Sequence, residues 1–225
     1  MATTNTATGQ TMVSKPSARM LKAYPYTYTK RKRILDIGGS FTLLVLVAPL
    51  FLLIALLVKL TSRGPVFYTS RRVGLLGKEF SFHKFRSMRT DADQELQKIQ
   101  AQNEKDGPIF KIERDPRVTP LGRFLRHTSL DELPQLFNVL RGNMSLVGPR
   151  PPLPHEVEKY DKYALDRLRV RPGMTCYWQI SGRSNLSFDE WMKLDHKYLE
   201  DMNFWIDLKI LFLTPFAVIK GEGAY

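Results

Sequence analysis

The sequence predicts an α+β fold that is mostly helical, in which a small cytosolic domain with a β-hairpin is anchored by an N-terminal re-entrant membrane helix and by interfacial amphipathic helices. Three observations support this prediction. The run from Ile37 to Val58 contains no charged residue. Two β-rich runs follow it on either side of a glycine-containing turn, and four later stretches have helical character. A chain of 225 residues suits one domain with a modest core and attachments.

The apolar run is long enough to reach across a bilayer. As a straight helix at ~1.5 Å per residue it spans roughly 33 Å, against a hydrocarbon core of about 30 Å. A cleaved signal peptide fits poorly, because the basic segment Lys59 to Arg63 follows the run in place of a small-residue cleavage site. We therefore expect the segment to persist as a membrane anchor.

Charge and one proline predict the path of this anchor. Lys30 to Arg33 precede the run, and Lys59 and Arg63 follow it, so both ends favour the cytoplasmic side of the membrane. Pro49 lies near the middle, where it removes a backbone donor and allows a bend. We expect a helix that dips into one leaflet, breaks near Ala48 and Pro49, and returns. A simple span with its N-terminus outside remains the alternative.

The chain divides into three predicted parts. Residues 1–29, rich in Thr, Ser and Ala, form a disordered tail; residues 30–60 form the re-entrant membrane helix; residues 61–225 form the folded domain. At the start of that domain, Pro65 to Val73 and Lys78 to Phe85 alternate in the manner of strands and predict the β-hairpin.

Four helices are predicted after the hairpin. They cover Asp91 to Gln102, Pro154 to Arg169, Ser187 to Met202 and Asn203 to Lys220. The last has few polar positions and carries Trp205, so it is either a core helix or one that lies against the bilayer.

The composition predicts an anionic partner. The formal net charge is +12, which suits nucleic acid, an anionic membrane surface or phosphorylated substrates. Cys176 is the single cysteine, so no internal disulfide can form, and no Cys/His cluster has the spacing of a zinc site. Because helix-turn-helix, zinc-finger and RNA-binding signatures are absent, we expect no nucleic-acid partner.

One acidic pair lies within a long basic stretch. Asp131 and Glu132 are adjacent, and arginines surround them in the sequence at positions Arg114, Arg117, Arg123, Arg126, Arg141 and Arg150. Acids held among cations are typical of a site for a phosphate-bearing substrate. Two plainer interpretations stay open: Glu132 closes a capping box with Ser129, or Gly148 to Pro152 is only a rigid turn after a strand.

A series of motifs in a fixed order resembles the bacterial monotopic phosphoglycosyl transferases, also called polyprenyl-phosphate sugar-phosphate transferases. The resemblance runs from about Lys30 to the C-terminus. The motifs are Ser62 to Tyr68, Arg72 to Gly74, Lys84 to Met88, Thr128 to Gln135, Met144 to Pro151, Arg171 to Thr175 and Ser181 to Arg183. One departure is Cys176 after Thr175, where the family often has Gly.

The resemblance implies an enzyme of the bacterial inner membrane whose catalytic domain faces the cytosol. Such an enzyme transfers sugar 1-phosphate from a UDP-sugar to undecaprenyl phosphate, releases UMP, and begins the assembly of an exopolysaccharide, capsule or other glycoconjugate. The family has a re-entrant membrane helix and requires Mg²⁺. This chain resembles its minimal catalytic form. We also expect contact with anionic lipids, and a homodimer is left open.

The resemblance also implies the nucleophile, Asp131, which forms an aspartyl phospho-sugar intermediate. From the chemistry of the residues we expect Asp131 and Glu132 to hold the metal. Cations are needed because a carboxylate and a phosphate oxygen at ~4 Å repel by about 4 kcal/mol at an effective dielectric near 20, and cationic surroundings should keep Asp131 ionised. The substrate-binding residues are assigned as Lys84, Arg86, Arg126, Arg150, Arg171 and Asp207.

Asp207 is the weakest of these assignments, because a lone acid among apolar neighbours is expected to pair with a cation. Two other functions stay as alternatives. One is a membrane-tethered basic protein that binds nucleic acid or acts as a scaffold. The other is an ordinary glycosyl transferase, which would release UDP where phospho-sugar transfer releases UMP.

Overall fold

The computed structural model describes residues 22–99, 103, 107–110, 112, 115–182, 185–221 and 223. Helices there run Lys30–Thr61 (α1), Ala92–Ile99 (α2), Pro120–His127 (α3), Gln135–Arg141 (α4), Pro154–Val157 (α5), Lys162–Leu165 (α6), Tyr177–Ile180 (α7), Phe188–Asp201 (α8) and Phe204–Lys220 (α9). Strands run Phe67–Val73 (β1), Glu79–Phe85 (β2), Ser145–Val147 (β3) and Gly173–Thr175 (β4). Short 3-10 helices cover Pro25–Tyr28, Leu75–Gly77, Leu130–Glu132 and Asp166–Arg169. The α+β, mostly helical prediction is confirmed.

Helix α1 contains the predicted membrane segment. It begins after Thr29, whose hydroxyl accepts a hydrogen bond from the Lys32 backbone N–H. By length and composition it is the one helix among the described residues that could cross a membrane. Pro49 lies inside it, and helical structure continues through the proline to Thr61. The break expected near Ala48 and Pro49 is therefore not seen as a loss of helical conformation, and the re-entrant path stays a prediction.

Both ends of α1 pack on the rest of the protein. Near its start, Lys32 is 4% exposed and donates to the Val147 carbonyl oxygen. Near its end, Val58 is 1% exposed and belongs to a buried cluster with Phe85 and Leu125. Other apolar side chains of α1 point away from the protein, at exposed fractions between 61% and 72%: Ile34, Phe41, Leu46, Leu52 and Leu60.

Strands β1 and β2 form the predicted hairpin. They pair antiparallel from Phe67 opposite Phe85 to Val73 opposite Glu79. Because successive side chains alternate between faces, Arg72 and Lys84 lie on the same face, with Phe82 between them. The Arg72 guanidinium lies 5.2 Å and the Lys84 ammonium 5.8 Å from the Phe82 ring centre.

Strands β3 and β4 pair in parallel, with Ser145 opposite Gly173 and Val147 opposite Thr175. The pairing brings two glycines together, because a Cβ added at Gly173 would overlap the backbone nitrogen of Gly148. The main core surrounds this small sheet and includes Leu136, Val139, Met144, Cys176, Trp178, Tyr198 and Ile210.

Two predicted segments need correction. A single helix over Pro154 to Arg169 is wrong: α5 ends at Val157, and Asp161 begins α6 by accepting a hydrogen bond from the Ala164 N–H. A tail extending to residue 29 is too long, because Pro25–Tyr28 forms a 3-10 turn and Thr27 is 4% exposed. Residues 1–21 lie outside the described residues.

The other predicted helices are close to those observed. Helix α2 ends at Ile99, and residues 100–102 of its predicted range lie outside the described part of the chain. A capping box between Ser187 and Glu190 begins α8. Helix α9 has two different faces: Asp207 and Ile210 are fully buried, whereas the aromatic side chains of Trp205 and Phe212 are 74% and 70% exposed. One face is therefore part of the core, and contact of the other face with the bilayer stays a prediction.

Candidate active site

Asp131 and Glu132 lie in a tight turn between α3 and α4. The turn is a 3-10 helix over Leu130–Glu132, and Ser129 precedes it with a φ of 56°. A residue other than glycine rarely adopts this left-handed conformation, and such local strain is concentrated at functional sites. Asp131 is 4% exposed. The predicted capping box is wrong here, because the Ser129 side chain makes no cap hydrogen bond.

Lys84 joins the hairpin to this acidic pair. Its ammonium lies 2.6 Å from Glu132 Oε1 and 3.3 Å from Asp131 Oδ2. Lys84 therefore bridges the two carboxylates, which lie close together because Asp131 and Glu132 are adjacent in the sequence. Of the predicted substrate-binding residues, Lys84 is the one whose contacts with both acids are direct.

Burial shapes the electrostatics of Asp131. It raises the pKa of the Asp131 carboxyl; Lys84 and Arg126 oppose this rise, and Glu132 adds to it. The two cations thus favour the ionised form, as expected, while the loss of hydration acts against it. That Asp131 is ionised at neutral pH stays a prediction.

Arg126 and Arg150 belong to the same cationic region. Arg126 donates from Nε to Ser87 Oγ at 3.0 Å, and its charge favours the ionised form of Asp131. Arg150 lowers the pKa of Arg126, although burial of Arg126 is the larger cause. The guanidinium of Arg150 also lies 6.0 Å from the Trp178 ring centre. The structure thus brings Arg126 near Asp131, and Arg150 near Arg126.

Sequence reasoning missed Arg72. Burial and then the charge of Arg150 lower the pKa of Arg72 to about 10, and Glu132 acts in the opposite direction. Arg72 is thus electrostatically coupled to both Arg150 and Glu132. The alternation of side chains along the predicted hairpin could have identified Arg72, because it places Arg72 on the same face as Lys84. Glu156 and Glu132 both oppose the lowering, so carboxylates of the protein offset part of the repulsion between the two guanidinium groups.

Two predicted substrate-binding residues have other partners. Arg86 donates to the Ser62 carbonyl and hydroxyl oxygens at 2.8 and 2.7 Å, after the end of α1. Arg171 donates to the Gly142 carbonyl at 3.1 Å and to the Thr27 carbonyl. These contacts hold chain segments together, so substrate contact by either residue stays a prediction that the geometry does not favour.

The expectation that Asp207 pairs with a cation is confirmed. Lys32 lies 2.6 Å from its Oδ2, and the hydroxyls of Tyr26 and Tyr198 donate to its two oxygens at 2.9 Å. Burial raises the pKa of Asp207, whereas Lys32 and the two tyrosines oppose that rise. This buried network joins α1 to α9 and gives Asp207 a structural role.

The donor set fits a magnesium ion bound mainly through substrate. Within the described residues no group of three or more His, Cys, Asp or Glu side chains is placed to hold a metal. Asp131 and Glu132 do offer two adjacent carboxylates. Mg²⁺ is commonly bound by one or two carboxylates together with substrate phosphates and waters, so these two residues are suitable ligands.

The arrangement can perform one kind of chemistry well. A buried carboxylate lies at the edge of a cationic region formed by Lys84, Arg126, Arg150 and Arg72, which suits attack on a phosphate that carries several negative charges.

Comparison with known proteins identifies relatives across most of the chain. The model of the family described as bacterial sugar transferase matches residues 27–221. The galactosyl transferase CpsE of Streptococcus agalactiae serotype III is 44% identical over 205 residues, which are 91% of this chain and 45% of that protein. The undecaprenyl-phosphate galactose phosphotransferase of Salmonella typhimurium is 42% identical over 224 residues, covering 96% of this chain and 44% of that protein.

A shorter relative matches over nearly its full length. The exopolysaccharide production protein ExoY of Rhizobium meliloti is 44% identical over 198 residues, covering 86% of this chain and 88% of that protein. The chain thus spans less than half the length of the first two relatives and most of the third.

Proposed function

Because this chain belongs to the bacterial sugar transferase family, we propose that it transfers a sugar 1-phosphate from a UDP-sugar to undecaprenyl phosphate and releases UMP. The observation that carries the proposal is the buried carboxylate of Asp131, bridged to Glu132 by Lys84. The names of the relatives agree with it, since one is an undecaprenyl-phosphate galactose phosphotransferase and another is an exopolysaccharide production protein.

Asp131 acts as the nucleophile. An oxygen of its carboxylate bonds to the phosphorus that carries the sugar, and the bond from that phosphorus to the bridging oxygen of UMP breaks. In the second step an oxygen of the lipid phosphate attacks the same phosphorus, and the carboxylate leaves with its electron pair. The second displacement restores Asp131 and yields the lipid-linked sugar diphosphate.

The surrounding cations lower the repulsion between the carboxylate and the diphosphate. Lys84 is close enough to share its charge between Asp131 and an incoming phosphate oxygen. Arg126 and Arg150 supply planar guanidinium groups that can hold phosphate oxygens in pairs. Mg²⁺ held by Asp131 and Glu132 would neutralise charge on the diphosphate.

A re-entrant path of α1 is proposed with this function, on the cytosolic face of the bacterial inner membrane. Two observations support it: Lys32 near the start of α1 and Val58 near its end are both buried against the same domain. A domain on one side of a membrane cannot pack against both ends of a straight span. The basic residues at both ends suit the cytoplasmic side and its anionic lipids.

An ordinary glycosyl transferase is the second candidate, because the Streptococcus relative is named a galactosyl transferase. The two reactions differ in the nucleotide that is released. The nucleic-acid-binding alternative has no comparable support, since the relatives named above are sugar transferases or serve exopolysaccharide production.

The test is an assay of released nucleotide. Purified protein in detergent is incubated with Mg²⁺, undecaprenyl phosphate and a panel of UDP-sugars, and UMP and UDP are separated chromatographically. We expect UMP with at least one sugar and no UMP from Asp131→Asn. Asp166→Asn is the matched control, because that carboxylate is 31% exposed and pairs with Arg169. Release of UDP, or full activity of Asp131→Asn, would reject the proposal.

A further inference from the structure

The loop that carries Arg150 has an unusual backbone. Three of the four residues from Pro149 to Pro152 are prolines, which fix φ and have no N–H to donate. Its carbonyl oxygens are nevertheless all hydrogen-bonded. Gly173 N–H donates to Pro149, and Val73 N–H donates to Pro152, at 2.8 and 2.9 Å.

Two arginine side chains supply the remaining donors. Arg72 donates from Nη1 to the Pro151 carbonyl at 3.2 Å, and Arg167 donates from Nη2 to the Arg150 carbonyl at 3.0 Å. Hydrogen bonds from a charged donor are about twice as strong as neutral ones. The backbone of Arg150 is therefore held from both sides.

Arg167 is itself fixed by a buried partner. Its Nη2 lies 2.8 Å from Asp195 Oδ2, and its Nη1 donates to the Tyr160 hydroxyl at 3.0 Å. The side chains of Arg167 and Asp195 are 2% and 0% exposed. The Arg167 guanidinium also lies 4.9 Å from the Trp191 ring centre.

A buried ion pair of this kind is a poor source of stability, because the loss of hydration offsets most of the attraction between the charges. What the pair provides is position. Asp195 on α8 pairs with Nη2, the Tyr160 hydroxyl accepts a hydrogen bond from Nη1, and Nη2 also donates to the carbonyl of Arg150, whose side chain belongs to the cationic region.

We propose that Arg167, oriented by Asp195, is a positioning residue that fixes the Pro149–Pro152 loop and so aims Arg150 at the phosphates of the donor. The proposal rests on the proposed function for the identity of that anion. Arg167 does not touch the reacting atoms; it acts through Arg150.

A double-mutant cycle on UMP release tests this dependence. We expect Arg167→Gln to lower kcat roughly 10- to 100-fold, since a displacement of about 1 Å can cost that much. If Arg167 acts through Arg150, the double variant Arg150→Ala/Arg167→Gln should match Arg150→Ala within about twofold. Losses that multiply would overturn the proposal.

Asp195→Asn serves as the second variant, because it keeps the size of the side chain and removes its charge. Asp195→Asn should lower kcat less than Arg167→Gln does. The double variant Arg150→Ala/Asp195→Asn should again have the same kcat as Arg150→Ala. Arg169→Gln is the matched control: it lies on the same 3-10 helix but donates to the Lys22 carbonyl and pairs with Asp166. Any loss of kcat caused by Arg169→Gln should multiply with the loss caused by Arg150→Ala in the double variant.

Hydrogen exchange gives a readout that needs no turnover. Gly148 and Arg150 carry the N–H groups of the segment from 148 to 152, and peptides that cover this segment should exchange faster in Arg167→Gln and in Asp195→Asn than in Arg169→Gln. Unchanged exchange in the first two variants would contradict the proposal. If the unaltered protein releases no UMP, the proposed function fails while this exchange measurement still decides whether Arg167 fixes the loop.

Discussion

At the scale of single residues, the site has been built at a cost in stability. Asp131 is buried beside another acid, and the residue before its turn has a strained backbone conformation. Lys84 and Arg126 reduce the unfavourable energy without removing it, as the raised pKa of Asp131 indicates. Strain and unfavourable burial of this kind are retained where reactivity requires them.

Replacing Asp131 should therefore stabilise the protein at neutral pH. A carboxyl whose pKa is raised on folding favours the folded state below its ordinary pKa of 3.8, and this contribution is lost as pH rises through the raised value. Asp131→Asn should have a higher Tm than the unaltered protein near pH 7, and the difference should shrink toward pH 4. Differential scanning fluorimetry across this pH range measures it. A lower Tm for Asp131→Asn at pH 7 would contradict the account.

Lys84 should control the pH dependence of activity. Since the charge of Lys84 lowers the pKa of Asp131, Lys84→Gln should move the acid limb of the kcat profile to higher pH. It should also lower activity at pH 7 by roughly 100-fold, the usual effect of removing one electrostatic donor from a site. UMP release between pH 5 and 9 is the measurement, with the exposed Lys78→Gln as control. An unshifted acid limb in Lys84→Gln would show that Lys84 does not act through Asp131.

At the scale of elements, the pairing of β3 with β4 places the Pro149–Pro152 loop. Gly148 and Gly173 approach so closely that neither tolerates a side chain without movement of the backbone. The Gly173 N–H also donates to the Pro149 carbonyl, so the same contact that joins the strands supports the loop.

Gly173→Ala should consequently reduce both stability and activity. Overpacking of this kind costs about 1–3 kcal/mol, and moving β4 should displace Arg150. Chemical denaturation and UMP release together measure the effect. Gly38→Ala is the control, because a Cβ there meets no atom within 4 Å and alanine favours helix. If Gly173→Ala behaved like Gly38→Ala, the close approach would have no importance for the fold.

A helix or strand can be predicted from the sequence when neighbouring residues determine it. The hairpin and the helix that begins at Ser187 follow from short patterns and are confirmed. The continuous helix from Pro154 to Arg169 is wrong, since Asp161 forms a local cap in preference to the helix interior. Among the site residues, Asp131 and Glu132 were predicted from their position among arginines and from the resemblance to a family. The hydrogen bonds of Arg171 and the ion pair of Arg167 involve partners far away in the sequence, and no local pattern reveals such partners.

At the scale of the whole molecule, both ends of the long apolar helix α1 pack against the same domain. Lys32, Ile54 and Val58 are buried against the domain, whereas Phe41, Leu46 and Leu52 in the same helix remain exposed. Trp205 and Phe212 add exposed aromatic surface from α9. With a net charge of +12, this surface suits insertion into one leaflet from an anionic face. Whether two copies associate as a homodimer stays a prediction.

The proposed topology places both ends of α1 in the cytosol. Cys176 is the single cysteine and is buried, so Arg31→Cys and Thr61→Cys would each provide one accessible thiol. A membrane-impermeant maleimide added to intact spheroplasts should label neither variant, and both should be labelled after lysis. Labelling of Arg31→Cys from outside would replace the re-entrant path with a straight span.

The central claim is that Asp131 forms a covalent bond to phosphorus during turnover, and its most direct test is mass spectrometry of a quenched reaction. The protein is incubated with Mg²⁺ and a UDP-sugar that it uses, without the lipid acceptor, then quenched and digested. The account predicts a sugar phosphate on the peptide that contains Asp131, with an equal amount of UMP and no adduct in Asp131→Asn. The account is contradicted if UMP forms only when the lipid is also present and that peptide never carries the added mass.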